Sequence, residues 1–107
     1  MAITEISVQE LKRRLDAGEH LQIVDVREPW EYALAHLPGT VHIPLAQVPQ
    51  RSSELDPGGE LIVMCKSGGR SRRAAEFLQA SGFQRVINLT GGIDAWAREI
   101  DPSVPTY

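Results

Sequence analysis

The chain has 107 residues, 42% hydrophobic and 23% charged, with a net charge of −3. That is ordinary for one soluble globular domain, spanning residues 1–107, able to bury a core without disulfides. The mild acidity gives no general case for nucleic-acid binding, and the single cysteine excludes an internal disulfide and dithiol redox chemistry.

From the N-terminus, Met1-Ala2-Ile3-Thr4-Glu5 lacks the basic and apolar stretches of a leader, and no apolar run approaches a membrane span, so the expected location is the cytoplasm, where a thiol stays reduced. Ile3 to Ile6 reads as a short strand. Ser7 and Glu10 have capping-box spacing, and Val8, Leu11 and Leu15 then recur at helical spacing until Gly18. Leu21 to Val26 is a buried strand. Glu28 to Leu37 reads as a helix closed by Pro38-Gly39, and Val41 to Ile43 as a brief strand stopped by Pro44. Leu45 to Leu55 is ambiguous, split by Pro49, and Asp56-Pro57-Gly58-Gly59 is a turn. Leu61 to Met64 is a central strand, Ser71 to Ser81 a helix capped by Gly82, and Arg85 to Leu89 the last strand. Gly91-Gly92 opens a final helix through Ile100, and Asp101 to Pro105 forms an extended tail. Strands alternating with helices predict an α/β fold with a mainly parallel central sheet flanked by helices on both faces.

The informative segment is Cys65-Lys66-Ser67-Gly68-Gly69-Arg70-Ser71, between the central strand and the following helix. A thiol at a strand end, before a glycine-rich loop and a helix N-terminus, meets backbone N–H groups and a positive dipole end, both favouring a thiolate. Lys66, Arg70, Arg72 and Arg73 cluster here, with no acidic residue between Leu61 and Ala75, which suits a small anion. Cys65 therefore reads as a nucleophile rather than an inert core thiol, and Arg70 as an anion ligand. Ser71 is expected to cap the helix. Asp25, Arg27 and Glu28 read as structural, with Asp25 buried against a cation. His36 is expected to make a local turn hydrogen bond, and Trp30 and Trp96 to pack. The three histidines lack metal-ligand spacing, and no metal or other cofactor is expected.

Three blocks together resemble the single-domain rhodanese family of sulfurtransferases. The first is Asp25-Val26-Arg27-Glu28 with Glu31-Tyr32, His36-Leu37-Pro38-Gly39 and Ile43-Pro44. The second is the Cys65 to Ser71 loop. The third is Leu89-Thr90-Gly91-Gly92-Ile93-Asp94-Ala95-Trp96. Ala35 departs from the glycine common in the family before the histidine. The tail from Asp94 to Pro105 is also similar to the rhodanese domain of enzymes that adenylate ubiquitin-like sulfur carriers. The resemblance implies a rhodanese-like fold and sulfur transfer through a persulfide on Cys65. The donor would be thiosulfate or the persulfide of a cysteine desulfurase, and the acceptor cyanide, a thiol or a sulfur carrier. Lys66, Ser67, Gly68, Gly69 and Ser71 would join Arg70 in binding the anion. The family's phosphatases use a loop one residue longer, so dephosphorylation is the runner-up. A non-catalytic binding module is the other alternative, against which the intact Cys65 and Arg70 count.

Overall fold

The computed structural model describes residues 3–107. Met1 and Ala2, the first two residues of the segment read as leaderless, lie outside the described residues. Five strands form one sheet: β1 (Thr4–Ile6), β2 (Gln22–Asp25), β3 (Val41–His42), β4 (Glu60–Met64) and β5 (Arg85–Leu89). Their spatial order is β1-β5-β4-β2-β3, and every pairing is parallel. Parallel strands need covered faces. Alternate residues of β4 supply both: Leu61 and Val63 join one cluster with Ala74, Leu78 and Val86, while Ile62 and Met64 join another with Leu11, Ile93 and Trp96. Helix α4 (Gly69–Ala80) covers the first face, and α1 (Val8–Asp16) and α5 (Gly92–Glu99) cover the second. Among the described residues, no helix is long and apolar enough to cross a membrane.

Several boundaries differ from the sequence reading. Helix α2 covers only Pro29–Leu34, because Ala35 is extended (φ −164°) and Pro38 disfavours helical backbone at the residue before it. The ambiguous stretch resolves into a 3-10 turn, the short helix α3 (Val48–Arg51), and a second 3-10 turn. Helix α1 buries Val8 and Leu11, and the Ser7 hydroxyl accepts from the Glu10 N–H at 3.0 Å, but Leu15 is exposed. Trp96 packs in the core, whereas Trp30 is 63% exposed.

Helix α4 begins two residues earlier than expected, and its cap is Gly68, not Ser71. Gly68 has φ +110°, a left-handed conformation open to glycine at little cost. That turn reverses the chain straight out of β4 and leaves Ser71 inside the first helical turn, fully buried.

Candidate functional site

Cys65 follows β4 at the carboxyl edge of the sheet, where the loops after β2 and β4 lie side by side, as in parallel sheets that bind ligands at strand ends. Its side chain is 1% exposed. The Gly68 N–H donates to Sγ at 3.1 Å. Burial acts most strongly on the thiol and pushes its pKa up. The Ser71 hydroxyl and the backbone N–H groups of Ser71, Gly68 and Ser67 together outweigh burial, so the thiol lies below its ordinary value. The loop thus supplies backbone donors to a sulfur anion.

The loop is held from behind. Ile93 and Asp94, at the start of α5, donate their N–H groups to the carbonyls of Cys65 and Lys66 at 2.9 and 3.0 Å. Gly92 (φ +56°) packs so closely that a Cβ there would sit 2.4 Å from the Cys65 carbonyl oxygen. The paired glycines read from the sequence as a tight turn therefore also let α5 seat against the thiol loop. On the other side, the Ser71 hydroxyl lies 2.5 Å from Asn88 Oδ1 and 3.2 Å from the Gly68 carbonyl. Its one proton has these two acceptors and the sulfur in reach.

The cationic cluster is not free charge. Arg70 donates from Nη1 and Nη2 to the two carboxylate oxygens of Glu31 at 2.6 and 2.9 Å. Lys66 pairs with Asp94 at 2.9 Å, and Arg72 with Glu5 at 2.9 Å. Only Arg73 of the four has no carboxylate within 4.0 Å among the described residues. The sequence window from Leu61 to Ala75 could not reveal this, because the partners sit 28 to 67 residues away. Lys66 is thus one arm of an ion pair, with its Nζ 5.0 Å from the Tyr107 ring centroid.

Glu31, the residue the sequence reading left without a role, is buried at 3% exposure. The Arg70 guanidinium holds its pKa down at about 2 against the opposing effect of burial, with the Glu28 N–H and Tyr107 hydroxyl assisting. Arg70 is raised in turn, first by Glu31, and the charge of Cys65 is close enough to contribute. Beside this pair, Asp25 and Arg27 form a fully buried bidentate salt bridge at 2.7 to 3.0 Å, as expected for Asp25. Glu28 and Glu31 close a reciprocal capping box on α2. His36 Nδ1 bonds the Tyr32 carbonyl at 2.9 Å, and its ring stacks on Tyr32 with His42 on the opposite face. No cluster of metal-ligating side chains occurs among the described residues.

The profile for the Rhodanese-like domain matches residues 7–99. The chain is 45% identical to YrkF of Bacillus subtilis, a candidate sulfur carrier protein, over 95 residues that take in 89% of this chain and 51% of that protein. It is 38% identical to a protein of Allochromatium vinosum named sulfurtransferase, covering 95% of each. A crystal structure of a Rhodanese-like domain protein from Staphylococcus aureus superposes with a TM-score of 0.86 at 30% identity, covering 98% of this chain and 99% of that one. The chain thus spans about half of the first relative and nearly all of the second.

Proposed function

Because this chain belongs to the Rhodanese-like domain family, we propose that it is a sulfurtransferase working through a persulfide on Cys65. The observation that carries the reading is the Cys65 loop itself, a buried thiol with the Gly68 N–H aimed at Sγ and its pKa lowered by the loop's donors. The Cys65 thiolate attacks the outer sulfur of thiosulfate. A new S–S bond forms, the old one breaks, and its electron pair leaves with sulfite. The protein keeps one sulfur as Cys65 persulfide, and no external oxidant or reductant is needed. A thiophile, cyanide or a thiol, then takes that sulfur and restores the thiolate; with a sulfur carrier, the persulfide instead attacks the activated carboxylate, the activating group leaves, and a thiol reductant cleaves the resulting acyl disulfide to free the thiocarboxylate.

The residues divide this work. The N–H groups of Ser67, Gly68, Gly69, Arg70 and Ser71 cradle the anionic sulfur, and the Ser71 hydroxyl adds a donor. Arg70, locked by Glu31, keeps N–H groups for the departing sulfite. Lys66, tied to Asp94, lines the rim. In a reducing cytoplasm the same thiol would receive sulfur from a protein persulfide.

The test is steady-state transfer from thiosulfate to cyanide. Thiocyanate formation with ping-pong kinetics, lost in Cys65→Ser, supports the reading. Aryl phosphate turnover without thiocyanate would replace it with the phosphatase alternative.

A further inference from the structure

Tyr107 reaches back from the tail to the thiol site. The tail turns at Asp101, whose carboxylate accepts from the Ser103 N–H and hydroxyl at 3.1 and 2.6 Å. The Tyr107 ring then packs edge-on against Trp30 at 5.6 Å between centroids, with Lys66 over it. Trp30 stands on α2 and Lys66 on the loop after β4, so the ring spans the two walls of the site.

Its hydroxyl occupies a particular place. Arg27 has five N–H donors. Asp25 takes two, the carbonyls of Glu31 and Ala35 take two at 3.3 and 2.6 Å, and the Tyr107 oxygen takes the fifth at 2.9 Å. Glu31 is filled in the same manner. Oε1 accepts from the Glu28 N–H and Arg70, and Oε2 from Arg70 and the Tyr107 hydroxyl at 2.8 Å. One phenol thus accepts from one buried ion and donates to the other, completing both sets. Without it, a buried guanidinium N–H and a buried carboxylate oxygen each lose a partner, a costly state in a low-dielectric setting. Burial raises the phenol's pKa and Arg27 opposes that rise, so the proton donated to Glu31 stays in place at neutral pH.

We propose that Tyr107 is a positioning residue for the thiol site: by bridging Arg27 and Glu31 it fixes the orientation in which Glu31 presents Arg70 to an anion beside Cys65. The inference rests on the reading that an anionic donor meets Cys65 at Arg70. Among the described residues the Tyr107 hydroxyl hydrogen-bonds Arg27 and Glu31 and not Cys65, so it acts through Glu31. The tail then couples to sulfur loading, since undocking it loosens the guanidinium.

The experiment uses the full chain with Tyr107→Phe, which keeps the ring against Trp30 and Lys66 and removes only the hydroxyl. Cys65 is alkylated with iodoacetate and with iodoacetamide, an anionic and a neutral probe of similar size. The expected result is a fall of about threefold to tenfold in the iodoacetate-to-iodoacetamide rate ratio, the scale of one hydrogen bond to a charged group, with the iodoacetamide rate nearly unchanged. In an Arg70→Ala background, Tyr107→Phe should then cause no further fall, because the residue it acts through is gone. Tyr107→Leu, which also removes the ring, should give the same loss of preference. An unchanged ratio in Tyr107→Phe, or an equal fall with Arg70 absent, overturns the proposal, whatever the shift in unfolding midpoint. If the wild type takes sulfur from neither thiosulfate nor a persulfidated cysteine desulfurase, the sulfurtransferase reading fails, while the alkylation ratio still decides the role of Tyr107.

Discussion

The two walls of the thiol site are built in opposite ways. The loop after β4 is a continuous run from Cys65 to Ser71 whose donors are largely its own backbone. The wall after β2 is a chain of ions, Asp25, Arg27, Glu31 and Arg70, closed by a phenol 76 residues from Glu31. A backbone cradle depends on local conformation, so a short motif specifies it. The ionic wall depends on tertiary folding: Asp25, Arg27 and Glu31 come from one segment, but Arg70 and Tyr107 reach Glu31 from 39 and 76 residues away. The difference teaches that the loop's own donors lower the pKa of its thiol, while carboxylates from distant elements pair with its cations.

The sharpest way to break the comparison is at the residue both walls share. Arg70→Ala should lower the rate of sulfur loading from thiosulfate by about 10²-fold, the cost of losing one preorganised donor. Arg85→Ala, at the opposite end of the sheet in β5, should leave it within about twofold. Equal losses, measured by single-turnover loading, would remove the anion site from Arg70.

A second test strikes the loop's support. Gly92→Ala places a Cβ against the carbonyls of Cys65 and Lys66 in a left-handed backbone, and should destabilise the fold by about 2 to 4 kcal/mol. Gly69→Ala adds a Cβ that meets nothing within 4 Å, and should fall within about 1 kcal/mol of wild type. Urea unfolding of the two variants measures the difference, and similar midpoints would refute the claim that α5 seats against the loop.

The ionic wall predicts a pH dependence. The Glu31 pKa is depressed to about 2 in the folded state from the ordinary 4.5, so its contribution is complete above the unfolded value and drains away as pH falls from about 4.5 towards 2. Glu31→Gln should flatten the stability profile in that window and cost about 2 to 3 kcal/mol at neutral pH. A wild-type profile already flat there would contradict the Glu31–Arg70 pairing. The smallest effect belongs to the half-exposed Arg72–Glu5 pair: Arg72→Ala should cost no more than about 1 kcal/mol, less in high salt, by the same unfolding measurement.

The parallel α/β fold, the strand–loop–helix unit around Cys65 and the buried Asp25 were legible because each rests on periodicity, local turn chemistry or the cost of an unpaired charge. The end of α2 and the start of α4 were less so. Ser71 has the chemistry of a cap, but Gly68 can take the left-handed turn first and the helix begins there instead. Arg70, Lys66 and Arg72 were legible as cations and not as partners, since Glu31, Asp94 and Glu5 arrive from other elements. Capping-box spacing from Glu28 to Glu31 was one local signal that could have singled out Glu31, although it says nothing of Arg70. Nothing near Tyr107 in sequence points to Arg27. That contact exists only because the tail folds back over α2.

The central claim is that this thiol carries sulfur. Intact-protein mass spectrometry after incubation with thiosulfate, with and without subsequent cyanide, tests it most directly on wild type and Cys65→Ser. The account predicts a gain of one sulfur atom in the wild type, removed by cyanide and absent from the variant. A gain that persists in Cys65→Ser, or no gain with thiosulfate and with a persulfidated cysteine desulfurase alike, would contradict it.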